Sequence, residues 1–333
     1  MAPNFNSLKT MNEPFFSICI PTYNRAHLLP AAIKSALAQT DSDFEIIVVD
    51  NASRDNTQEI LRRYDDPRIR VVRNTQTVSM YANHNICVEH ARAPWVVFLH
   101  SDDRLLPDGL SRYHDLIEND QSIDIITASC EYYRPLWKKL GMDTHYTLVG
   151  SEGLALLFQY LGLNMPGACM KRSMVGELKG FDENTIIADY DLYIRALLTR
   201  KRITVLRNGV IELGTTERTT SKLIETKSWV FEQGRVIARH VSDPVVFAAV
   251  APAINKWQPS ELSRFLMYVA AGNNKKSLSQ FENLAHSAVA LSKKERTYSH
   301  VRLYKLLGHT GYRFCLKLLV KIQRLKKITT AKR

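Results

Sequence analysis

Two adjacent carboxylates follow an apolar segment in the first half of the chain. Residues 95–99 (WVVFL) are β-branched, aromatic or aliphatic, which predicts a strand buried on both faces. Asp102 and Asp103 come just after it, at the strand's carboxyl end, where open α/β sheets bind ligands. Paired carboxylates there suit a hard divalent cation that carries substrate phosphates. The alternative is a strand-to-helix turn, in which Asp102 or Asp103 caps the segment that begins near Leu105.

Alternating strands and helices lead up to this motif. The patterns predict strands at 16–20, 45–49 and 69–72, and helices at 26–39, 56–64 and 79–92. Such an alternation predicts a parallel, doubly wound sheet.

Polar residues follow the first two of these strands, and neither the GxGxxG nor the GxxxxGK[ST] phosphate-binding motif is present. A nucleotide would therefore be held in another way. The carboxylate of Asp50 can accept hydrogen bonds from a base or ribose, and Tyr23 can stack or pack beside a base. The alternative for each residue alone is a turn or capping role.

Composition limits the compartment and the domain count. The 333 residues suffice for one α/β domain of about 220 residues and a smaller appendage. The five cysteines are scattered, without CxxC spacing or a histidine cluster, which fits a reducing cytosol and excludes a zinc site of that kind. No signal-like segment and no window of about 18 apolar residues is present, so we expect neither secretion nor a membrane span.

The positive charge is concentrated in the C-terminal third. Residues 222–333 hold 21 Lys/Arg against 6 Asp/Glu, a net +15, which leaves −3 for residues 1–221. The pattern predicts a basic helical region there, and its last helix (298–328) is amphipathic. Residues 297–333 could lie on an anionic membrane surface, or the helix could pack on the catalytic domain with a solvated basic face. Nucleic acid is not expected as a partner, because no binding module is recognisable.

Four segments together resemble the family 2 glycosyltransferases, which have the GT-A fold. They are SICIPTYNR at 17–25, EIIVVDNASRDNT at 45–57, ANHN at 82–85 and FLHSDDRLLPDGL at 98–110. The resemblance spans about residues 15–220. It implies a Rossmann-like, doubly wound, mostly parallel α/β sheet with a nucleotide-sugar-binding half (15–130) and an acceptor half (131–221). A flexible N-terminus (1–14) would precede it, and the basic helical extension (222–333) would follow.

The resemblance also implies roles for individual residues. Asp103 would be a metal ligand, Asp102 a ribose or metal contact, and the cofactor Mn²⁺ or Mg²⁺. The remaining donor-nucleotide contacts would be Pro21, Thr22, Tyr23, Arg25, Asp50, Asn51, His84 and Ser101.

The chain departs from the family pattern at several positions. The family usually has Asp where His100 stands, and Gly and Arg where Ser79 and His84 stand. Imidazole favours transition metals, which makes manganese the better choice over magnesium. If His84 reached the diphosphate in place of Arg, it would be partly charged near neutrality, and its attraction for phosphate would depend on pH. The alternative is that His84 is a core or helix-surface histidine.

The acceptor half would supply the catalytic base. IADYDLYIR at 187–195 resembles the family's Glu-Asp-x-Asp-Leu segment, which maps the general base onto Asp189, with Ala188 where the family has Glu. The alternative is an N-cap role for Asp189, while Asp191 is expected to pair with Arg195 at i,i+4.

The sequence around this segment predicts further elements. We expect a strand at 124–129, an acceptor-lining loop at 134–149, and two strands at 203–206 and 210–213 joined by a hairpin turn. Residues 215–221 resemble a loop that closes over donor phosphates, where Arg218 would contact the diphosphate or else be solvent-exposed.

These features together predict an inverting, metal-dependent glycosyltransferase. Its donor would be a UDP-, GDP- or dTDP-sugar and its acceptor a glycan or lipid-linked molecule of surface-glycan assembly. We expect a cytoplasmic protein that can lie peripherally on the inner face of a membrane. The alternatives are a sugar-phosphate nucleotidyltransferase, against which stands the lack of a Gly-rich phosphate loop, and a non-catalytic nucleotide-binding or scaffold protein, suggested by His100 and Ala188.

Overall fold

The computed structural model describes residues 13–128, 144–160 and 163–214, with scattered positions between 236 and 249. The chain divides into two compact units, residues 1–153 with 160–225 and residues 154–159 with 226–333. Both sheets and the candidate site belong to the first unit. The domain boundaries predicted from the sequence stay predictions.

The described residues between 13 and 214 form ten strands and seven helices. The strands are β1 Phe16–Thr22, β2 Phe44–Asp50, β3 Ile69–Arg73, β4 Trp95–Phe98, β5 Arg104–Leu105, β6 Ile125–Ala128, β7 His145–Leu148, β8 Cys169–Lys171, β9 Ile203–Leu206 and β10 Ile211–Glu212. The helices are α1 Leu29–Leu37, α2 Thr57–Leu61, α3 Met80–His90, α4 Gly109–Asn119, α5 Gly150–Tyr160, α6 Arg172–Glu177 and α7 Ala188–Leu198.

Eight strands form one mixed sheet in the order β3-β2-β1-β4-β8-β6-β9-β7. The four strands β3, β2, β1 and β4 are parallel, β8 runs antiparallel between β4 and β6, and β9 is parallel to β6. The predicted α/β, mostly parallel architecture is confirmed. The chain leaves β1 toward β2 on one side and later returns to its other side at β4. This is a topological switch point, so the carboxyl ends of β1, β2 and β4 border the crevice where such sheets bind ligands.

The strands at this switch point are buried on both faces, as their apolar sequences predict. The polar side chains of Ser17 and Glu45 are buried at the amino ends of these strands. Ser17 Oγ donates to Glu45 Oε1 at 2.7 Å, and the backbone N–H of Arg92 donates to the same oxygen at 2.8 Å. Burial favours the neutral carboxyl, yet these bonds and the charge of Arg70 lower the pKa of Glu45 overall.

The predicted hairpin at 203–213 is wrong. Strand β9 lies in the main sheet, whereas β10 pairs with β5, with Ile211 opposite Leu105. Arg112 of α4 donates to the carbonyls of Asn208 and Gly209, and the N–H of Leu106 donates to Val210 O at 2.7 Å. These bonds draw the chain after β9 toward the residues that follow β4.

Other predictions fall on or beyond the limits of the described residues. The predicted loop 134–149 contains β7 at its end, which pairs antiparallel with β9, and residues 134–143 lie outside the described chain. Residues 215–221 with Arg218, and the basic helices of 222–333, lie outside the described residues apart from scattered positions between 236 and 249. Within the described parts, none of the helices has the length and apolar character needed to cross a bilayer.

Candidate functional site

The loops after β1 and β2 are tied together at the crevice. Asn24 adopts a left-handed conformation with φ of 51°, which asparagine tolerates better than most residues. Its N–H donates to Ser53 Oγ at 2.9 Å, and its side-chain oxygen accepts from the N–H of Arg54 at 2.8 Å. The N–H of Ala26 donates to Asp55 Oδ2 at 3.0 Å. The two loops thus form one rim at the carboxyl edge.

This rim carries four of the residues assigned to the nucleotide. Thr22 is only 2% exposed, and its hydroxyl has no hydrogen-bond partner among the described residues. Buried hydroxyls normally have a partner, so a polar ligand at this edge would complete it. The ring of Tyr23 is 43% exposed and available for stacking. Pro21 is buried and Arg25 is partly exposed.

Asp50 is completely buried at the end of β2. Its Oδ1 accepts from the N–H of Ser53 at 3.0 Å, its Oδ2 accepts from Gln58 Nε2 at 2.6 Å, and Arg73 Nε lies 3.6 Å from Oδ2. The carboxylate therefore shapes the loop after β2, and contact with a base would have to replace the Gln58 bond. Its assignment to the nucleoside stays a prediction.

The side chain of Asn51 is hydrogen-bonded to the backbone just before α3. Its amide nitrogen donates to Val78 O at 2.9 Å, and its oxygen accepts from the N–H of Val78 at 2.9 Å and from Asn74 Nδ2 at 3.0 Å. Asn74 Nδ2 also donates to Asn83 Oδ1, and Asn83 Nδ2 donates to Val49 O. With both amide ends used in this way, the side chain holds the approach to α3 against β2 instead of offering free groups to a nucleotide.

His100, Asp102 and Asp103 form a cluster after β4. One ligand atom from each lies within 4.8 Å of the others. Asp103 is 5% exposed, and its Oδ1 accepts from the N–H of Gly214 at 2.9 Å, while Ser101 beside it is buried. The distance from Asp103 Oδ2 to His100 Nδ1 is 3.9 Å. That is too long for a hydrogen bond but below the roughly 4.2 Å spanned by two metal–ligand bonds, so the donor set fits a divalent cation.

His84 lies in α3 and is 3% exposed, with its ring packed against those of Phe98 and Phe181. Its Nδ1 is 2.8 Å from Met80 O, and its Nε2 is 3.2 Å from His100 Nε2. Burial lowers the pKa of His84 to about 3, and repulsion from His100 acts in the same direction whenever that ring is protonated, although the bond to Met80 opposes them. The hypothesis of a partly charged His84 that attracts phosphate near neutrality is therefore wrong. The structure shows the core-histidine alternative.

Asp189 lies in the first turn of α7 and faces α3. Tyr81 Oη donates to Asp189 Oδ1 at 2.8 Å. Desolvation raises the pKa of Asp189, although the Tyr81 bond, an N–H from the first turn and His100, whenever it is protonated, oppose the rise. The N-cap of α7 is Ile187 and no side-chain cap bond is formed, so the N-cap alternative for Asp189 is wrong. A carboxylate with a raised pKa, partly exposed beside a crevice, is suited to accept a proton.

The companion prediction for Asp191 is confirmed. Arg195 Nε lies 2.7 Å from Asp191 Oδ2, and Arg195 also donates to the carbonyl oxygens of Leu178 and Gly180. This buried pair fixes α7 against the turn before it.

Helix α3 connects the two halves of the site. Tyr81 contacts Asp189, its ring lies 5.1 Å from that of His84, and His84 contacts His100 of the cation cluster. No sequence pattern indicated a role for Tyr81, because an aromatic residue on a helix is usually part of the core. Gly214 was also missed, because its place beside Asp103 follows from the β5–β10 pairing.

Comparisons with known proteins place these features in context. Residues 17–177 match the family described as Glycosyl transferase family 2. A PGL/p-HBAD biosynthesis glycosyltransferase of Mycobacterium bovis is 29% identical over 200 residues, which cover 57% of this chain and 74% of the relative.

Two solved structures share the fold. The crystal structure of S. aureus TarS 1-349 in complex with UDP-GlcNAc matches with a TM-score of 0.60 and 18% identity, over 90% of this chain and 89% of that one. The mannosyltransferase PcManGT from Pyrobaculum calidifontis, in complex with GDP-Man and Mn2+, matches with a TM-score of 0.56 and 18% identity, over 91% of this chain and 88% of that one.

The close approach of Gly214 to the cation cluster can be tested by substitution. A Cβ at Gly214 would lie 1.9 Å from Asp102 O, so Gly214→Ala must separate this segment from Asp103. We expect weaker Mn²⁺ binding in calorimetric titration, with helix and sheet content retained in circular dichroism.

The matched control is Gly176→Ala, since a Cβ at this helical glycine meets nothing within 4 Å. We expect unchanged Mn²⁺ binding and stabilisation by about 0.5–1 kcal/mol. Equal Mn²⁺ affinity in wild type and Gly214→Ala would show that the Asp103–Gly214 contact does not shape the cluster.

Proposed function

Because residues 17–177 of this chain match glycosyl transferase family 2, we propose that it transfers a sugar from a nucleoside-diphosphate sugar to an acceptor hydroxyl, with inversion at the anomeric carbon. The observation that carries the proposal is the bridge through α3, which brings the carboxylate of Asp189 and the His100–Asp102–Asp103 cluster to one crevice. A proton acceptor and a diphosphate-binding cation site are the two parts that such a displacement needs.

The rim after β1 and β2 would receive the nucleoside. The hydroxyl of Thr22, which has no partner in the part of the chain that the structure describes, can bond a ribose or base, and the exposed ring of Tyr23 offers a stacking face. Asp102, which is partly exposed, would contact the ribose or the cation. UDP-GlcNAc in TarS and GDP-Man in PcManGT support a UDP- or GDP-sugar as donor here, with dTDP-sugars the remaining class.

His100, Asp102 and Asp103 would hold Mn²⁺ or Mg²⁺, which would neutralise charge on the leaving diphosphate. Mn2+ in PcManGT supports a divalent cation in this role. Asp103 is kept in place by the N–H of Gly214, and residues 215–221 with Arg218 follow directly along the chain. Arg218 would add a further positive charge beside the diphosphate.

Asp189 would act as the general base. The acceptor oxygen forms its bond to the anomeric carbon while the bond from that carbon to the diphosphate oxygen breaks, and the electron pair leaves with the nucleoside diphosphate. The acceptor proton passes to Asp189 Oδ2, since Oδ1 already accepts the Tyr81 hydroxyl. Attack from the face opposite the leaving group inverts the configuration.

The acceptor is proposed by class. The relative's role in PGL/p-HBAD biosynthesis supports a glycan or lipid-linked acceptor in the assembly of a surface glycan. The basic residues of 297–333 would then meet the anionic surface that presents such an acceptor.

Substitution of the base separates chemistry from donor binding. We expect Asp189→Asn to keep thermal stabilisation by UDP or GDP with Mn²⁺ and to lower turnover about 10²- to 10⁴-fold, because an amide cannot take the acceptor proton. Turnover is measured as nucleoside-diphosphate release from a panel of activated sugars, with water or a simple glycoside as acceptor.

The matched control is Asp191→Asn, two residues further along the same helix. Asp191 pairs with Arg195, so this variant should melt at a lower temperature and keep the turnover of the folded enzyme. Wild-type turnover in Asp189→Asn would disprove the assignment of the base. If neither UDP, GDP nor dTDP stabilises the wild type, with or without Mn²⁺, the transferase proposal itself is wrong.

The pH dependence tests the contact between Tyr81 and Asp189. Burial and the charge of Asp189 hold the pKa of Tyr81 well above 10, so it remains a donor. Removing the hydroxyl in Tyr81→Phe abolishes a bond that lowers the pKa of Asp189, and the base must be ionised to act. The acid limb of kcat/KM should therefore move to higher pH.

Tyr113→Phe is the control, because it removes a buried hydroxyl that donates to Gly167 O and not to Asp189. Its acid limb should match that of the wild type. An unmoved acid limb in Tyr81→Phe would mean that Asp189 is not the group whose ionisation limits the rate.

A further inference from the structure

The cation cluster contains a nitrogen ligand candidate where two carboxylates alone would suffice for a hard cation. His100 follows β4 directly and is partly exposed. Its Nδ1 lies 3.9 Å from Asp103 Oδ2, and a ligand atom of Asp102 completes a group within 4.8 Å. The question is which ring nitrogen carries the hydrogen, because only a nitrogen with a free lone pair can bind a cation.

The hydrogen bonds of His84 answer this question. Its Nδ1 faces Met80 O at 2.8 Å, and a carbonyl oxygen can only accept, so Nδ1 carries a hydrogen. At 3.2 Å, the Nε2 atoms of His84 and His100 share one hydrogen between them. His84 is 3% exposed and surrounded by aromatic rings, and a second hydrogen on its ring would bury an unpaired charge. The shared hydrogen therefore belongs to His100 Nε2.

The consequence is a defined tautomer of neutral His100. With Nε2–H donated to His84, the lone pair is on Nδ1, the atom that lies toward Asp103 Oδ2. A metal-binding histidine generally donates its second N–H to a fixed acceptor, which sets the ring orientation and the tautomer. Here the acceptor is the Nε2 of a buried histidine held by the backbone of its own helix.

We infer that His100 binds the catalytic cation through Nδ1 beside Asp103 and Asp102, that His84 positions it, and that this mixed nitrogen and oxygen site selects Mn²⁺ over Mg²⁺. Imidazole suits transition metals, whereas carboxylates and water suit magnesium. The inference rests on the proposed function only in calling the cation catalytic, since the ligand set follows from the contacts of His100.

The test measures metal binding directly on the full chain, with Mn²⁺ and Mg²⁺ as the probes and no nucleotide. Pulsed electron paramagnetic resonance of bound Mn²⁺ should show nitrogen hyperfine coupling in the wild type. His100→Asp should still bind Mn²⁺ but lose this coupling, and calorimetry should give it a smaller ratio of Mn²⁺ to Mg²⁺ affinity. His114→Asn, which changes a histidine bonded to Asp41 elsewhere, should retain the coupling.

The positioning role of His84 has its own readout. His84→Leu should weaken Mn²⁺ binding about 10- to 100-fold, as loss of an outer partner of a metal ligand usually does. His84→Gln should recover part of this loss, because its amide oxygen can accept the hydrogen of His100 Nε2. A purely structural role would leave the Mn²⁺ affinity of the folded variants unchanged.

Two outcomes overturn the inference: wild-type Mn²⁺ without nitrogen coupling, or coupling that persists in His100→Asp. Either can occur in a protein that still releases nucleoside diphosphate from an activated sugar, which would leave the proposed function standing. The protein could instead show nitrogen coupling but neither bind UDP, GDP or dTDP nor turn over any donor. The metal site would then stand, and the proposed transferase activity would be wrong.

Discussion

The contacts of helix α3 with both sides of the crevice are the constraint on which the candidate site depends. Tyr81 donates to the carboxylate of Asp189, and one turn further along His84 contacts His100. Residues three apart lie on the same face of a helix, so one rigid element fixes the spacing between the proposed base and the cation cluster. The carboxylates of Asp102, Asp103 and Asp189 repel one another in the absence of a cation, so a rigid element is needed to keep them close together.

The position of α3 depends in turn on a network of amides. Asn51, Asn74 and Asn83 link the end of β2 to the residues before α3 and to its first turns. A buried network of this kind is stable only when its donors and acceptors are paired, as they are here with the backbone of Val49 and Val78. Glu45 and Ser17 satisfy the same requirement at the other end of the strands, away from the crevice. Paired polar groups therefore stabilise the structure at both ends of these strands.

The sequence was most informative where its patterns are local. The apolar strands, the helices between them and the Asp191–Arg195 pair follow from spacing alone, and each appears in the structure. The β5–β10 pairing was not predictable, because it depends on Arg112 capturing the carbonyls of Asn208 and Gly209 across the fold.

The site itself shows the same limit. Asp102 and Asp103 stand out as adjacent acids after a buried strand, but the neutral state of His84 depends on the rings of Phe98 and Phe181, which are remote from it in sequence. The contact of Tyr81 with Asp189 joins residues 108 positions apart. Roles that depend on such long-range partners can be assigned only from the structure, whereas the short motifs were sufficient to predict the type of chemistry.

The proposed function requires that a cation bound by His100, Asp102 and Asp103 holds a diphosphate within reach of Asp189. A crystal structure of the chain with Mn²⁺ and UDP, phased with the anomalous signal of manganese, tests it most directly. We expect a manganese peak in bonding contact with Asp103 and His100, a diphosphate oxygen on the metal, and the Asp189 carboxylate facing the terminal phosphate across an open space that fits one sugar. A manganese peak bound elsewhere, or an Asp189 carboxylate turned away from that space, would contradict it.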